Sequence, residues 1–228
     1  MDVKLVTDSS QEKITLTPQR PSRWSCIRRL LGRANQDLPR LPIYMHPIEY
    51  TQLTALLAAI DARTVLEWGS GGSTQALLND FPHLETLVSI EHDTGWHDQV
   101  RARLTDSRVR LYRFPCAAPE PNIQEDIQAW EAWMDRCEDE PELLRDYIDW
   151  PTTLDLTFDL VLVDGRARVH CMHAGWKVLR PGGLLVLHDA QRTRYHADLA
   201  ALGRPVFLAN WQQGQIAFVR KPDSGGVV

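Results

Sequence analysis

Four short apolar runs in this chain carry a carboxylate or an imidazole at or near their ends. TVLEW contains Glu67, LVSIE ends on Glu91, FDLVLVD ends on Asp164, and LLVLHD ends on His188 and Asp189. Directly after the first run comes a glycine-rich turn, Gly69-Ser70-Gly71-Gly72-Ser73-Thr74. Glycines let the chain turn sharply and let a ligand approach the backbone. A helix that starts there offers unpaired N–H groups and the positive end of its dipole, which suit a carboxylate or a phosphate. A dinucleotide would place its pyrophosphate on the same geometry, so an NAD-type oxidoreductase is the competing expectation. The dinucleotide pattern wants glycine at the sixth position, where this chain has Thr74. Glu67 counts further against it, because a carboxylate beside the turn repels pyrophosphate and attracts a ligand that carries an ammonium and a sulfonium. Glu91 lies 22 residues beyond Gly69, a spacing at which an acidic side chain accepts hydrogen bonds from the hydroxyls of a ribose. Asp93 and Trp96 follow closely enough to touch the same nucleoside.

Strands must alternate with helices to bring these groups together. A helical pattern runs from His46 through Tyr50, Leu53, Leu56, Leu57 and Ile60 into a strand over 64–68. TQALLNDF reads as a helix, 86–91 as a second strand, HDQVRARL as a helix, and RVRLYRF (108–114) as a third strand. FDLVLVDG (158–165) is near-continuous and apolar, as a strand buried on both faces must be. A helix is expected over roughly 167–179, ended by Pro181 and two glycines, then a fifth strand over 184–189 and a helix begun by QRTRYHADLAAL. RPVFLAN and QIAFVRK, joined by the short turn WQQG, must be antiparallel. The alternation implies an α/β fold: a mostly parallel, Rossmann-like, seven-stranded sheet with an antiparallel last strand and helices on both faces. Ligands of such sheets bind beyond the carboxyl ends of the strands, where Glu67, Glu91, Asp164, His188 and Asp189 are all expected.

Residues 117–152 break this rhythm with an acidic insertion that carries Trp130, Trp133 and Trp150. It is either a lid over the substrate or a helix covering a sheet edge. Residues 1–40 read as an extension, with a stretch RWSCIRRLLGR in which Trp24, Ile27, Leu30 and Leu31 share a helical face among Arg23, Arg28, Arg29 and Arg33. That stretch is either a basic amphipathic helix for a membrane surface or partner, or a short helix packed on its own domain. The domain proper is expected over 41–228.

Among 228 residues, 43% are hydrophobic and 24% charged, with a formal net charge of −5, which fits a globular domain and argues against a nucleic-acid partner. Cys26, Cys116, Cys137 and Cys171 are widely spaced without a CxxC, so neither a disulfide framework nor a zinc site is expected. Reduced thiols, no visible secretory leader and no run of roughly 18 apolar residues together suggest a cytoplasmic protein. The sequence does not specify an oligomeric state.

TVLEWGSGGST, SIEHD, FDLVLVDGRAR and VLRPGGLLVLHDAQR resemble the motifs of class I S-adenosylmethionine-dependent methyltransferases, over about residues 46–220. The glycine turn is a variant of that superfamily's pattern, with Ser73 in the last glycine place. The resemblance implies that S-adenosyl-L-methionine is the cofactor, that Glu67, Gly69, Gly71, Ser73 and Glu91 contact it, and that the final strand inserts between its neighbours. Ser70, Thr74 and Asp164 belong to the same cofactor rim. The pairing of VDG with HDxxR is similar to the glucuronoxylan O-methyltransferase group, which points to a sugar or other small-molecule hydroxyl as acceptor.

Transfer to a hydroxyl requires alignment and removal of a proton, and histidine titrates in the useful range. His188 is the candidate general base, with Asp164 or Asp189 orienting it or the acceptor; either aspartate could instead cap a helix. Arg166, Arg168, Arg192 and Arg194 cluster near the same two strand ends. Arginine pairs bidentately with carboxylates, so an acidic acceptor such as a uronic acid is expected, with Arg192 in the catalytic set. The other reading is that the arginines offset the acidic insertion. Tyr195 either lines the acceptor pocket or packs. Catechol-type O-methyltransferases hold magnesium with acids at the places of Asp164 and Asp189, but Ala190 stands where they have the third ligand, so a metal-free mechanism is expected. A non-catalytic module that keeps this fold is a further alternative.

Overall fold

The computed structural model describes residues 40–210 and 214–223. The amphipathic stretch 23–33 and the turn residues 211–213 lie outside the described residues.

The chain enters through α1 (Pro47–Ala59), whose start is fixed by a reciprocal cap. The His46 ring accepts from the Ile48 N–H at 3.2 Å, and Glu49 accepts from the His46 N–H at 2.9 Å. Then follow β1 (Thr64–Trp68), α2 (Gly72–Asp80), β2 (Thr86–Glu91), α3 (Thr94–Arg103) and β3 (Val109–Arg113). The insertion supplies α4 (Ile127–Asp139) and the short α5 (Arg145–Asp149). The remainder is β4 (Phe158–Val163), α6 (Arg168–Val178), β5 (Leu179–Leu187), α7 (His196–Leu202), β6 (Val206–Phe207) and β7 (Ala217–Arg220).

The seven strands form one sheet in the order β3-β2-β1-β4-β5-β7-β6. β7 runs antiparallel between β5 and β6, as expected, while the other pairings are parallel. Both faces are covered. Leu66, Trp68, Ile90, Val161 and Val163 pack with Trp133, Tyr147 and Met172 on one side. Val65, Leu87, Leu160 and Leu162 pack with Leu53, Leu57 and Leu77 on the other. No helix among the described residues is long and apolar enough to cross a membrane.

The helix expected over roughly 167–179 forms, but the strand after it, expected from 184, starts earlier. α6 ends at Val178, and Pro181, Gly182 and Gly183 belong to β5. Leu179 pairs with Phe158 and Leu184 with Leu160, so the Pro-Gly-Gly stretch is an outward irregularity in one strand. A bulge is where a sheet tolerates proline. The hairpin strands are also shorter than RPVFLAN and QIAFVRK suggest, at two and four residues.

Register positions the functional side chains. Trp68 stands beside Ile90 and Val163, and Val163 beside Leu187. The next residue along each strand is Gly69, Glu91, Asp164 and His188. The ladder continues into them: the Gly69 N–H donates to Ile90 O at 2.9 Å, Asp164 to Trp68 O at 3.0 Å and His188 to Val163 O at 3.1 Å. Four groups far apart in sequence therefore form one row at the carboxyl edge. The chain leaves β1 toward β2 on one side and returns as β4 on the other, so the row spans the switch point at which such sheets bind ligands.

Candidate active site

A cleft of about 460 Å³ opens above this row, within the range that takes a small molecule (roughly 300–1,000 Å³). Its floor is the glycine turn. Gly69 has φ +95°, and a Cβ there would lie 2.8 Å from Asp164 O, so both conformation and space require glycine. Gly72 lies so close to the Pro42 carbonyl that a Cβ would collide with it; the segment before α1 thus crosses the turn. Trp96 closes one side, donating its indole N–H to Ser70 O at 2.6 Å, with its ring against Gly71. Asp93 caps α3 through the Trp96 N–H and lines the cleft.

Glu67 does not line the cleft. It is fully buried, on the same sheet face as Val65, and Thr74 donates its hydroxyl to Glu67 Oε1. The same hydroxyl accepts from the Gly71 N–H at 2.9 Å. Glu67 therefore braces the turn from behind through Thr74, and the direct meeting with a cation expected from the sequence is absent from this arrangement. The reason is depth: Glu67 is two residues short of the row, level with Ser89 and Leu162, and its side chain lies in the packed layer beneath the turn. Burial, with Asp164 and Glu91 nearby, pushes its pKa up to about 7, against the opposing hydrogen bond from Thr74.

This carboxyl stays protonated in the folded chain at pH values where the unfolded chain has released its proton. Stability from this site is thus lost as pH rises from about 4.5 to about 7. Glu67→Gln keeps an oxygen for Thr74 and removes the ionisation. Urea midpoints should coincide for variant and parent at pH 5. At pH 8 the variant should be the more stable, by up to about 3 kcal/mol. Equal midpoints at both pH values would contradict this account of Glu67.

Glu91 is buried and its carboxylate is well supplied with donors. Oε2 accepts from the Ser70 N–H at 3.1 Å and the Ser70 hydroxyl at 3.2 Å; Oε1 accepts from the His92 and Asp93 N–H groups at 2.8 and 2.9 Å. Burial alone would raise its pKa, but His92 and these N–H groups hold it below the ordinary value. His92 lies between Glu91 (2.9 Å) and Glu120 (3.7 Å). Those two carboxylates raise its pKa although burial opposes the charge.

Glu120 belongs to the insertion and accepts from the Trp130 indole N–H at 2.8 Å. Trp130 and Met134 of α4 line the cleft beside Arg166, whose guanidinium lies 5.6 Å from the Trp130 ring and 5.7 Å from that of Trp133. The insertion also covers an edge, since Trp150 packs on Tyr112 of β3 at 4.0 Å. One part of 117–152 thus lines the cleft and another covers the sheet edge. Cys116 and Cys137, 21 residues apart, approach to 3.9 Å between sulfurs, a contact their spacing gave no sign of.

At the far end of the row, His188 is buried, with Nδ1 at 2.6 Å from Asp164 Oδ1 and Nε2 at 3.5 Å from Glu49 Oε2. Burial disfavours its charge, but the Asp164 carboxylate, with Asp189 behind it, raises its pKa above the ordinary value. Arg168, also buried, ties the two strand ends together. Its Nε donates to Gly165 O at 3.0 Å, one terminal nitrogen donates to His188 O, and the other lies 3.5 Å from Asp164 and 3.2 Å from Asp189.

Asp189 has φ +58° and also meets Arg192 at 2.9 Å. Burial alone would raise the Asp189 pKa, but Arg168, His188 and Arg192 together lower it. Neither aspartate caps a helix: α6 follows Ala167, and α7 follows Tyr195. Arg194 leaves the cleft altogether and pairs with Asp135 and Asp139 on exposed α4, so it does offset the acidic insertion. Tyr195 is packed in the core. Ser70, Gly71, Ser73, Asp164, Asp189 and Arg192 line the cleft; Thr74 does not. Among the described residues, no group of three or more His, Cys, Asp or Glu side chains could hold a metal ion.

Sequence reasoning missed Glu49, His92, Glu120 and Tyr44. Glu49 had a local signal, its place three residues after a helix cap, which histidine at the cap position concealed.

Residues 66–190 match a family described as a methyltransferase domain. Among solved structures, a methyltransferase-like protein from Silicibacter pomeroyi is 23% identical, covering 81% of this chain and 91% of its own, at a TM-score of 0.54. An O-methyltransferase from Bacillus cereus, in complex with SAH, is 19% identical over 88% and 92% of the two chains, at 0.52. The O-methyltransferase TomG from Streptomyces achromogenes, involved in tomaymycin synthesis and in complex with SAM, is 18% identical over 81% and 84%, at 0.50. At these identities the likeness is one of fold. No curated protein matches the chain.

Proposed function

The chain belongs to the methyltransferase-domain family, matched over residues 66–190, and on that premise we propose that it uses S-adenosyl-L-methionine to methylate a hydroxyl of a small molecule or sugar. The observation that carries this reading is the row Gly69–Glu91–Asp164–His188 above one cleft: a ligand-accommodating turn, a carboxylate for a ribose and an imidazole are set in register along the sheet.

The residues present fit the cofactor. Glu91 offers a charged acceptor to the ribose diol once Ser70 yields its hydroxyl bond, since a carboxylate has about four acceptor sites. The Gly69–Gly71 backbone and the start of α2 suit the amino-acid carboxylate, and Trp96 and the insertion's Trp130 wall the cleft on the two sides. The cofactor supplies an electrophilic methyl group. The chain's own residues hold it, exclude water and place the acceptor in line with it, and such positioning accounts for much of the rate.

His188 accepts the proton of the acceptor's hydroxyl. Asp164 fixes the ring through Nδ1 and offsets the charge that arrives; Asp189 acts through Arg168 and Arg192. Arg166 and Arg192 line the cleft, which favours an acceptor bearing a carboxylate, a uronic acid for example. Because His188 holds its proton above the usual range, activity should rise with pH through a midpoint above about 6.5, the ordinary imidazole value. A rate independent of pH between 6 and 9 would remove His188 as base. The direct test of function is a labelled-methyl transfer screen over sugar acids, phenols and small carboxylates. Label in a hydroxyl of one class supports the reading, and NAD binding without S-adenosylhomocysteine binding overturns it.

A further inference from the structure

Glu49 belongs to none of the expected motifs, yet it is 2% exposed and its Oε1 has no hydrogen-bond partner. Its other oxygen accepts from the His46 N–H at 2.9 Å and lies 3.5 Å from His188 Nε2, which also has no hydrogen-bond partner. A helix cap alone does not require this burial. A carboxylate kept from water with one oxygen unsatisfied costs free energy unless something compensates.

The surroundings show the same pressure. The backbone at Gly214 passes so close that a Cβ there would collide with the Glu49 carboxyl, so the chain before β7 packs directly on it. On the far side of His188 lies a second cavity of about 730 Å³, lined by Ile43, Met45, Glu49, Gln191 and Gly214. Tyr44, His188, Asp189 and Arg192 line both this cavity and the cleft, so the two spaces meet at the imidazole.

We propose that Glu49 is a positioning residue for the proton-accepting imidazole, holding Nε2 of His188 from the side opposite Asp164, at the wall shared by the two cavities. The proposal rests on the methyltransferase reading. As the acceptor oxygen forms its bond to the methyl carbon, the carbon–sulfur electron pair stays on sulfur and the hydroxyl proton passes to His188 Nε2. The imidazolium then stands between two carboxylates, Asp164 at Nδ1 and Glu49 at Nε2. The charged groups facing the ring are Glu49 from α1, Asp164 from the end of β4, Asp189 from the end of β5 and Arg168 from α6. Arg168 opposes the imidazolium and the three carboxylates favour it.

The test uses the full chain with histidine labelled for NMR and saturated with S-adenosylhomocysteine. Glu49→Gln retains the oxygen that accepts from His46 N–H, so the helix cap survives while the charge is lost. The His188 titration midpoint should fall by about one unit, as expected when an opposite charge within about 4–6 Å is removed. With any acceptor the screen identifies, kcat above the midpoint should fall at least threefold while KM holds. Glu49→Asp, which withdraws the carboxylate by one methylene, should move the midpoint in the same direction by less. A midpoint unchanged in both variants overturns the proposal and leaves Glu49 a helix cap, as does a lowered midpoint with unaltered kcat. Failure of the parent protein to bind S-adenosylhomocysteine refutes the methyltransferase reading instead, and is seen before any variant is compared.

Discussion

Glu91→Gln should weaken S-adenosylhomocysteine binding by about 10- to 100-fold in a calorimetric titration. One ribose hydroxyl donating to the acceptor site that the Ser70 hydroxyl gives up is worth about 1.5–3 kcal/mol, and each 1.4 kcal/mol is about tenfold in affinity. The amide is a worse partner for a second reason. Both oxygens of Glu91 already receive N–H donors, from Ser70 on one and from His92 and Asp93 on the other. An amide NH2 on either side faces a backbone donor and disturbs the turn. Asp93→Asn is the control: Asp93 lines the same cleft and caps α3, and asparagine caps about as well as aspartate. Affinity in Glu91→Gln within threefold of the parent would mean that Glu91 does not grip the ribose.

Arg168→Met should lower stability by about 3–5 kcal/mol, the usual result of removing one member of a buried charge cluster. The guanidinium lies against Asp164 and Asp189 and donates to the Gly165 and His188 carbonyls. Methionine fills the volume, satisfies none of these acceptors and leaves two carboxylates facing each other. Asp189→Asn in the same chain should recover part of the loss, because one of the stranded charges is then gone. Arg168→Lys should fall between, since an ammonium keeps the charge but cannot span four acceptors with a planar fork. Urea unfolding of the three variants decides it. A loss below about 1 kcal/mol for Arg168→Met, typical of surface pairs, would contradict a structural role for this cluster.

The strands and the row they carry were legible because a parallel strand covered on both faces must be almost wholly apolar. The first polar residue after such a run therefore marks the carboxyl edge. This placed Glu91, Asp164 and His188 correctly. It misplaced Glu67, which lies two residues short of the edge, deep enough for the packed layer beneath the turn to enclose its side chain. The same reasoning could not find the start of β5 at Leu179, because a proline and two glycines usually interrupt a strand, and here the strand absorbs them as a bulge. Glu49 and Glu120 were not legible as site residues because their partners, His188 and His92, lie on other elements. Only the tertiary arrangement brings them within reach. The four arginines illustrate the limit: all sit near the same strand ends in sequence, yet Arg168 is buried as a brace, Arg194 pairs on an exposed helix, and Arg166 and Arg192 face the cleft.

The central claim is that an adenosyl ligand lies across the carboxyl edge of the sheet with its ribose on Glu91 and its amino-acid end on the turn at Gly69–Gly71. A crystal structure of the chain with S-adenosylhomocysteine tests it most directly. The predicted result is density in the cleft with a ribose hydroxyl within hydrogen-bonding distance of the Glu91 carboxylate, in the place of the Ser70 hydroxyl. The contradicting result is a nucleoside bound away from Glu91, or a cleft without ligand density at saturating S-adenosylhomocysteine.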